Sequence, residues 1–121
     1  MLIKNKIPFV NENEIMNKAL KILNLKKLGF LVIINDQNLI SGIFTDGDLK
    51  RLLQKKKKID NHKIKNFMNK NPYIVEEKML ATDILFQMNK KKITNVCVYK
   101  KGNKRKVTGV IHIHNLLENL K

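Results

Sequence analysis

The chain of 121 residues has room for one compact domain, whereas either half alone would bury too little surface for a secure fold. Hydrophobic residues make up 43% of it and long Gly, Pro or Ser tracts are absent, which argues against a disordered chain. The formal charge of +15 would suit a binder of nucleic acid or of anionic membranes, yet only Arg51 and Arg105 of the 25 basic residues are arginine. Because readers of nucleic acid favour the bidentate arginine fork, we interpret most lysines as solvated surface and do not expect nucleic acid as the main partner.

The longest apolar run, residues 28–34, is too short to cross a bilayer, and no apolar segment follows the first residues. We therefore predict a cytoplasmic protein with no membrane partner. Cys97 is the single cysteine and lies in a strand-like run. We interpret it as a small buried apolar side chain rather than as half of a disulfide.

The first half of the chain alternates strand and helix patterns. In order, they predict a linker over 1–6, a strand over 7–10, a helix over 14–25, strands over 30–34 and 39–44 that form a hairpin, and a helix from about 46 to the lysine run 55–58. Asn11 or Asn13 would cap the first helix, and Gly29 would mark its exit. The residues of this helix that we expect inside are Ile15, Ala19, Ile22 and Leu23.

The second half repeats this order. The patterns predict a short helix around 64–68, a strand over 73–75, a helix over 79–89, a strand over 93–99, a basic turn over 100–106, a strand over 107–111 and a closing helix over 115–120. The residues of the two longer helices that we expect inside are Leu80, Ile84, Met88, Leu116, Leu117 and Leu120.

A polar turn follows the apolar strand that ends at Phe44. Gly42 would let something approach the backbone closely, and Thr45 can cap the helix that begins around Asp46. Thr45 and Asp48 stand three residues apart, so a hydroxyl and a carboxylate would lie on the first helical turn beside unpaired N–H groups. The helix end can hold a phosphate, and the carboxylate can bind the vicinal hydroxyls of a ribose. The same spacing is also that of a capping box, in which the two side chains bond to each other's backbone. The residues alone leave both interpretations open.

Residues 107–117 repeat this stretch 67 positions later. Gly109 corresponds to Gly42, and Asn115 corresponds to Asp48. Two copies of one unit therefore fill the chain, and we expect them to share a core.

The order strand, helix, strand, strand, helix occurs twice, and a Gly-containing strand runs into Thr-x-x-Asp. This pattern resembles a tandem pair of cystathionine β-synthase (CBS) domains, a so-called Bateman module. The resemblance implies an α+β fold with α/β-type layers, in which two β-α-β-β-α repeats pack in pseudo-two-fold symmetry. We assign residues 1–66 to the first repeat, with its linker and connector, and 67–121 to the second. Such modules commonly bind adenosyl ligands between the repeats and regulate an attached enzyme or transporter, which implies AMP, ADP or ATP as a regulatory ligand.

Residues 8–10, 42–51, 93–94 and 109–117 are similar to the C-terminal half of bacterial D-arabinose 5-phosphate isomerases. These enzymes interconvert ribulose 5-phosphate and arabinose 5-phosphate, the first step toward the Kdo sugar of lipopolysaccharide. Their active site lies in an N-terminal sugar isomerase (SIS) domain, which this sequence lacks. The resemblance implies a regulatory or assembly module of such an enzyme, with no catalysis of its own, no required cofactor and CMP-Kdo as a further regulatory ligand. Its partners would be the SIS domain of the parent protein and a second copy that docks through the helices.

The resemblance places a ligand in the first cleft. Thr45 would bind phosphate and Asp48 the ribose hydroxyls, with Asp46 beside them and Ile43 and Phe44 lining the base pocket. The family commonly has Asp where the second repeat has Asn, so the second cleft supplies only weaker candidates: His112, His114 and Asn115.

The sequence gives little support for catalysis or metal binding by this chain on its own. His112 and His114 would share one face of a strand, but two ligands do not close a metal site. Asp46 and Asp48 do not face each other on a helix. We therefore predict no metal and no catalytic residue. The functions left open are the sensing or assembly module of an isomerase, a purely structural dimerisation module and a basic nucleic-acid binder.

Overall fold

The computed structural model of the chain describes residues 2–3, 6–55 and 58–119. Its elements in chain order are β1 (Leu2–Ile3), β2 (Phe9–Asn11), α1 (Met16–Lys26), β3 (Phe30–Ile34), β4 (Ile40–Thr45), α2 (Asp46–Gln54), a 3-10 turn (Ile64–Asn66), β5 (Ile74–Glu76), α3 (Ala81–Lys91), β6 (Asn95–Tyr99), β7 (Gly109–His112) and α4 (Ile113–Asn119). The strands and helices predicted from residue 7 onward are confirmed, with bounds that shift by no more than two residues. Lys56 and Lys57 of the lysine run and Leu120 of the closing helix lie outside the described residues.

Two compact units make up the chain, a first unit of residues 8–71 and a second unit of residues 1–7 and 72–121. The first unit contains a sheet of order β2-β3-β4, and the second contains a sheet of order β1-β7-β6-β5. In both sheets the strand before the helix pairs in parallel with the strand after it, and the next strand closes an antiparallel hairpin. The predicted α+β class with two β-α-β-β-α repeats is confirmed.

The sequence pattern predicted a plain linker over residues 1–6, whereas the structure contains a short strand there. Leu2 and Ile3 form β1, which pairs antiparallel with Val110 and Gly109 of β7. A two-residue strand is too short to show periodicity in the sequence. It forms because the outer edge of β7 would otherwise expose unpaired backbone groups.

The outer edge of β4 is covered in the same way. Asn69 forms an antiparallel bridge with Ile43, in which each backbone N–H donates to the other residue's carbonyl, at 3.0 and 2.8 Å. Asn69 lies 67 positions after Leu2, which pairs with the residue that follows Gly109. With the repeats assigned as 1–66 and 67–121, the opening segment of each repeat therefore closes the sheet of the other repeat. For this reason the units differ from the predicted division after residue 66.

Each unit has a core between its helices and one face of its sheet. The first core contains Val10, Met16, Ala19, Leu23, Leu31, Ile33, Phe44, Ile59 and Ile64, and the second contains Val75, Ile84, Met88, Val96, Val98 and Leu116. Ile15 and Ile22 are only partly buried. The predictions for Leu80 and Leu117 are wrong, because both side chains are exposed. Leu80 is the extended N-cap of α3 and so lies outside the helical repeat that turns Ile84 and Met88 inward.

The first helix begins without the predicted asparagine cap. Asn11 Oδ1 accepts a hydrogen bond from the N–H of Asn13 and so closes its own turn, while Ile15 occupies the N-cap. The first N–H groups of α1 instead donate to backbone carbonyls of the connector, from Met16 to His62 at 2.8 Å and from Asn17 to Asp60 at 3.2 Å. Tertiary contacts therefore satisfy this helix end. The helix ends at Lys26, with Lys27 in the left-handed conformation, two residues before the predicted Gly29.

Candidate functional site

The turn between β4 and α2 is held by a reciprocal pair of hydrogen bonds. Thr45 has extended backbone angles (φ −119°, ψ 165°), and its Oγ1 accepts from the N–H of Asp48 at 3.2 Å. In return Asp48 Oδ2 accepts from the N–H of Thr45 at 2.9 Å. The capping box is therefore formed, and it fixes the hydroxyl and the carboxylate on the first turn of α2. The predicted helix start at Asp46 is confirmed.

The second oxygen of this carboxylate bonds to an arginine that the sequence analysis did not single out. Arg51 Nη2 donates to Asp48 Oδ1 at 2.5 Å. The side chain of Asp48 is 23% exposed, whereas that of Arg51 is 65% exposed. An ion pair with such an exposed partner contributes little, so a ligand hydroxyl could displace Arg51 at small cost. The three-residue spacing on one helix face was the signal that could have revealed the pair.

The other predicted residues of this turn differ in their exposure. Phe44 is fully buried in the core of the first unit, so neither its side chain nor its backbone is exposed. Ile43 is also buried, and its backbone already bonds to Asn69. Asp46 is exposed, and its N–H donates to the carbonyl of Gly29 at 2.9 Å. The structure thus brings Thr45 and Asp48 together, with Asp46 beside them on the surface.

Gly42 was predicted to admit a close neighbour, and that neighbour is the chain itself. A Cβ added to Gly42 would lie 2.5 Å from the carbonyl oxygen of Asn69 and 2.8 Å from Met68 Sδ. Any larger residue would push residues 68–69 away from β4. The glycine therefore serves the edge bridge, and it supplies no argument for a ligand.

The corresponding turn between β7 and α4 is built from different side chains. Asn115 Oδ1 accepts from the N–H of His112 at 3.1 Å, as Asp48 does for Thr45. His112 Nδ1 accepts from the N–H of His114 at 3.1 Å, one position earlier in the helix than the N–H that the Thr45 hydroxyl accepts in the first repeat. The two imidazole rings stack with their centroids 4.7 Å apart. This turn therefore carries no carboxylate.

The pKa of one histidine in this second turn is shifted. Partial burial lowers the pKa of His112 from its ordinary value, and the charge of His114 lowers it further. A lowered pKa keeps the imidazole neutral, which is the form whose Nδ1 can accept a hydrogen bond.

Burial raises the pKa of Cys97 to about 12, so its thiol stays protonated and unreactive.

In the part of the chain that the structure describes, no group of three or more His, Cys, Asp or Glu side chains is placed to hold a metal ion. Within the same residues no helix combines the length and the apolar character that a membrane span requires.

The architecture and its paired turns can be compared with known families. The model of the CBS domain family matches residues 2–55 and again 64–121. The chain belongs to the CBS domain family. Because the two matches lie in tandem, it is a CBS domain pair.

Curated relatives extend this similarity. The chain is 37% identical over 114 residues to the uncharacterized protein RP505 of Rickettsia prowazekii, covering 93% of this chain and 34% of the relative. It is 35% identical over 111 residues to the arabinose 5-phosphate isomerase KdsD of Yersinia pestis, covering 92% of this chain and 33% of that enzyme. The chain thus spans about a third of the length of the curated relatives it matches.

Solved structures share the fold at lower identity. CBSX2, solved in complex with AMP, superposes with a TM-score of 0.82 at 21% identity, covering 99% of this chain and 91% of the other. The CBS domain pair of protein MJ0100, solved with 5′-methylthioadenosine and S-adenosyl-L-methionine, gives a TM-score of 0.83 at 21% identity, with coverage of 98% and 91%.

Proposed function

We propose that this CBS pair is the regulatory or assembly module of an arabinose 5-phosphate isomerase of carbohydrate metabolism, on the route to Kdo and lipopolysaccharide. Its similarity to the KdsD enzyme over a third of that enzyme's length supports the proposal. The isomerase reaction would belong to a SIS domain outside these residues, and this chain would contribute no catalytic residue.

The proposed regulatory ligand is an adenine nucleotide (AMP, ADP or ATP) or the nucleotide-sugar CMP-Kdo. The observation that carries this proposal is the preformed Thr45–Asp48 turn, where a partly exposed carboxylate lies on the first turn of α2. The carboxylate can accept hydrogen bonds from the two hydroxyls of a ribose, while the Thr45 hydroxyl and the helix N-terminus favour a phosphate. Fold neighbours solved with AMP and with other adenosyl compounds support this class of ligand. The predicted cleft between the repeats stays a prediction.

Calorimetric titration with AMP, ADP, ATP and CMP-Kdo tests the ligand. Asp48→Asn should weaken binding at least about tenfold, because it removes the charge but keeps the amide oxygen that Asn115 uses in the second repeat. Asp83→Asn is the matched control, since it removes a carboxylate from the first turn of α3 and should leave the affinity unchanged. No heat with any of the four compounds rejects the sensing role and leaves only assembly.

A purely structural role in assembly is the second candidate, because each of the described helices α1 to α4 exposes a large apolar side chain. These are Leu25 at 78%, Leu53 at 60%, Phe86 at 64% and Leu117 at 44% exposure. We propose that these helix faces dock on a second copy of the chain. Light scattering should show a dimer that Phe86→Glu weakens. A monomer at high concentration would reject this role, and duplex DNA binding that collapses as salt rises would instead favour the basic-protein alternative.

A further inference from the structure

The turn before α4 contains an acceptor that depends on protonation. His112 Nδ1 accepts the N–H of His114, so in the neutral ring the proton must be on Nε2. An imidazolium carries protons on both nitrogens and cannot accept this hydrogen bond. Protonation of His112 therefore removes one of the two side-chain hydrogen bonds at the start of α4.

A second acceptor lies directly across the sheet. Asn95 on β6 is the antiparallel partner of His112 on β7. The neighbouring pair is bonded through the backbone, from the N–H of Ile113 to the carbonyl of Thr94 at 2.8 Å. Since bonded and non-bonded pairs alternate, Asn95 and His112 form a non-bonded pair, in which opposite side chains come closest.

The amide oxygen of Asn95 lacks a partner. Asn95 Oδ1 is buried and accepts no hydrogen bond from any described residue, while Asn95 Nδ2 donates only to Thr94 Oγ1 at 3.4 Å. A buried acceptor without a donor is unfavourable, so this oxygen is ready for a donor that arises nearby. The Nδ1–H that His112 gains on protonation is such a donor, whereas the neutral ring has its proton on Nε2.

We propose that His112 is a proton-operated latch for α4: the neutral ring holds the first turn of the helix through Nδ1, and the imidazolium donates to Asn95 Oδ1 and releases that turn. The latch acts within the second repeat and needs no ligand, so it stands apart from the proposed function. It gives the module a response to acid, because the two forms of one side chain satisfy two different groups.

Among the described residues of the second unit, few titratable groups lie on the elements next to His112. On α4 the titratable groups are His114, whose ring stacks on it, and Glu118 at the other end of the helix. On β6 Asn95 is uncharged, and Tyr99 is at the far end of the strand. The strand β1 pairs with Val110 and Gly109 rather than with His112, and α3 packs on the opposite face of the sheet, against Ile111. The charge that acts on His112 from these described elements is that of His114.

Nitrogen-15 NMR of the histidine rings in the full chain tests both halves of the latch. Near pH 7.5 His112 should be the Nε2–H tautomer. Asn95→Ala should lower the pKa of His112 by about one unit because the acceptor for the charged form is gone, and Asn95→Asp should raise it. An Nδ1–H tautomer, or a pKa that neither substitution changes, overturns the proposal.

Amide hydrogen exchange tests the release of α4. The protection factor of the His114 N–H should fall about fivefold as His112 is protonated, which is the size of a lost helix cap. His112→Asn supplies an acceptor that does not titrate, as Asn11 does for the N–H two residues on, and should keep this protection at both pH values. If His112→Asn shows the same loss on acidification as the wild-type chain, His112 is not the latch.

Discussion

The turn into the last helix of each repeat is held by side-chain hydrogen bonds, and the side chains that supply them differ between the repeats. In the first repeat Thr45 and Asp48 exchange two hydrogen bonds, and the carboxylate also pairs with Arg51. In the second repeat His112 and Asn115 supply the two acceptors, and neither is charged at neutral pH. The comparison shows that helix capping alone does not require a carboxylate at this position. The charge of Asp48 is therefore available for another purpose.

The largest expected effect concerns the edge bridge beside the first turn. Gly42→Ala should reduce the free energy of unfolding by about 3 kcal/mol, because the new Cβ would overlap Asn69 and Met68. Urea unfolding measures the change. Gly47→Ala is the control: its Cβ would meet Arg51 at an ordinary 3.4 Å inside α2, so it should stabilise the chain by about 0.5–1 kcal/mol. Equal stability of the Gly42→Ala and wild-type chains would contradict the close approach.

The next effect compares the two caps directly. Asp48→Ala should cost about 1–2 kcal/mol of unfolding free energy, because a hydrogen bond and a favourable charge at the helix N-terminus are lost. Asn115→Ala should cost only about 0.5–1 kcal/mol, because the bond it removes is neutral. Thermal or urea unfolding of both variants decides the order. A larger loss for Asn115→Ala would show that the carboxylate has no structural role beyond that of an amide.

A smaller effect is the pH dependence that His112, in the second turn, gives to the free energy of unfolding. The pKa of His112 is lowered in the folded chain by burial and by His114, so the unfolded chain binds this proton first as the pH falls. The stability that the neutral form of His112 contributes is fully present above the ordinary histidine pKa of about 6.5. It is lost as the pH falls through the lower pKa that His112 has in the folded chain. Unfolding between about pH 7.5 and 5.5 should show this slope in the wild-type chain and a flatter one in His112→Thr. Parallel slopes would contradict the assignment.

The smallest effect concerns the middle of the second sheet. Cys97 is buried opposite Val110, much as Val32 is buried opposite Ile43 in the first sheet. Cys97→Val should therefore change the unfolding free energy by less than about 1 kcal/mol. In the native chain the thiol should resist thiol reagents near neutral pH, because it is buried and its pKa is about 12. Rapid labelling without unfolding would show that this part of the sheet opens.

The sequence predicts the features that depend on neighbouring residues. Periodicity located β3 with its observed bounds, and the Thr-x-x-Asp spacing predicted the cap of α2. Periodicity did not predict β1, because a two-residue strand has no period and its partner lies more than a hundred residues away. The opposition of Asn95 and His112 likewise depends on strand register, which a local pattern does not contain. The exposure of Leu80 depended on where α3 begins, and that boundary is the least certain part of a periodic pattern.

The exchange of edge segments bears on how a duplicated protein of this kind can arise. Residues around Leu2 complete the later repeat, and residues around Asn69 complete the earlier one. A polypeptide with one repeat alone would leave its last strand open unless a second molecule donated the missing segment. Fusion of two copies turns that encounter between molecules into an event within one chain, where the effective concentration of the donated segment no longer depends on how much protein the cell makes.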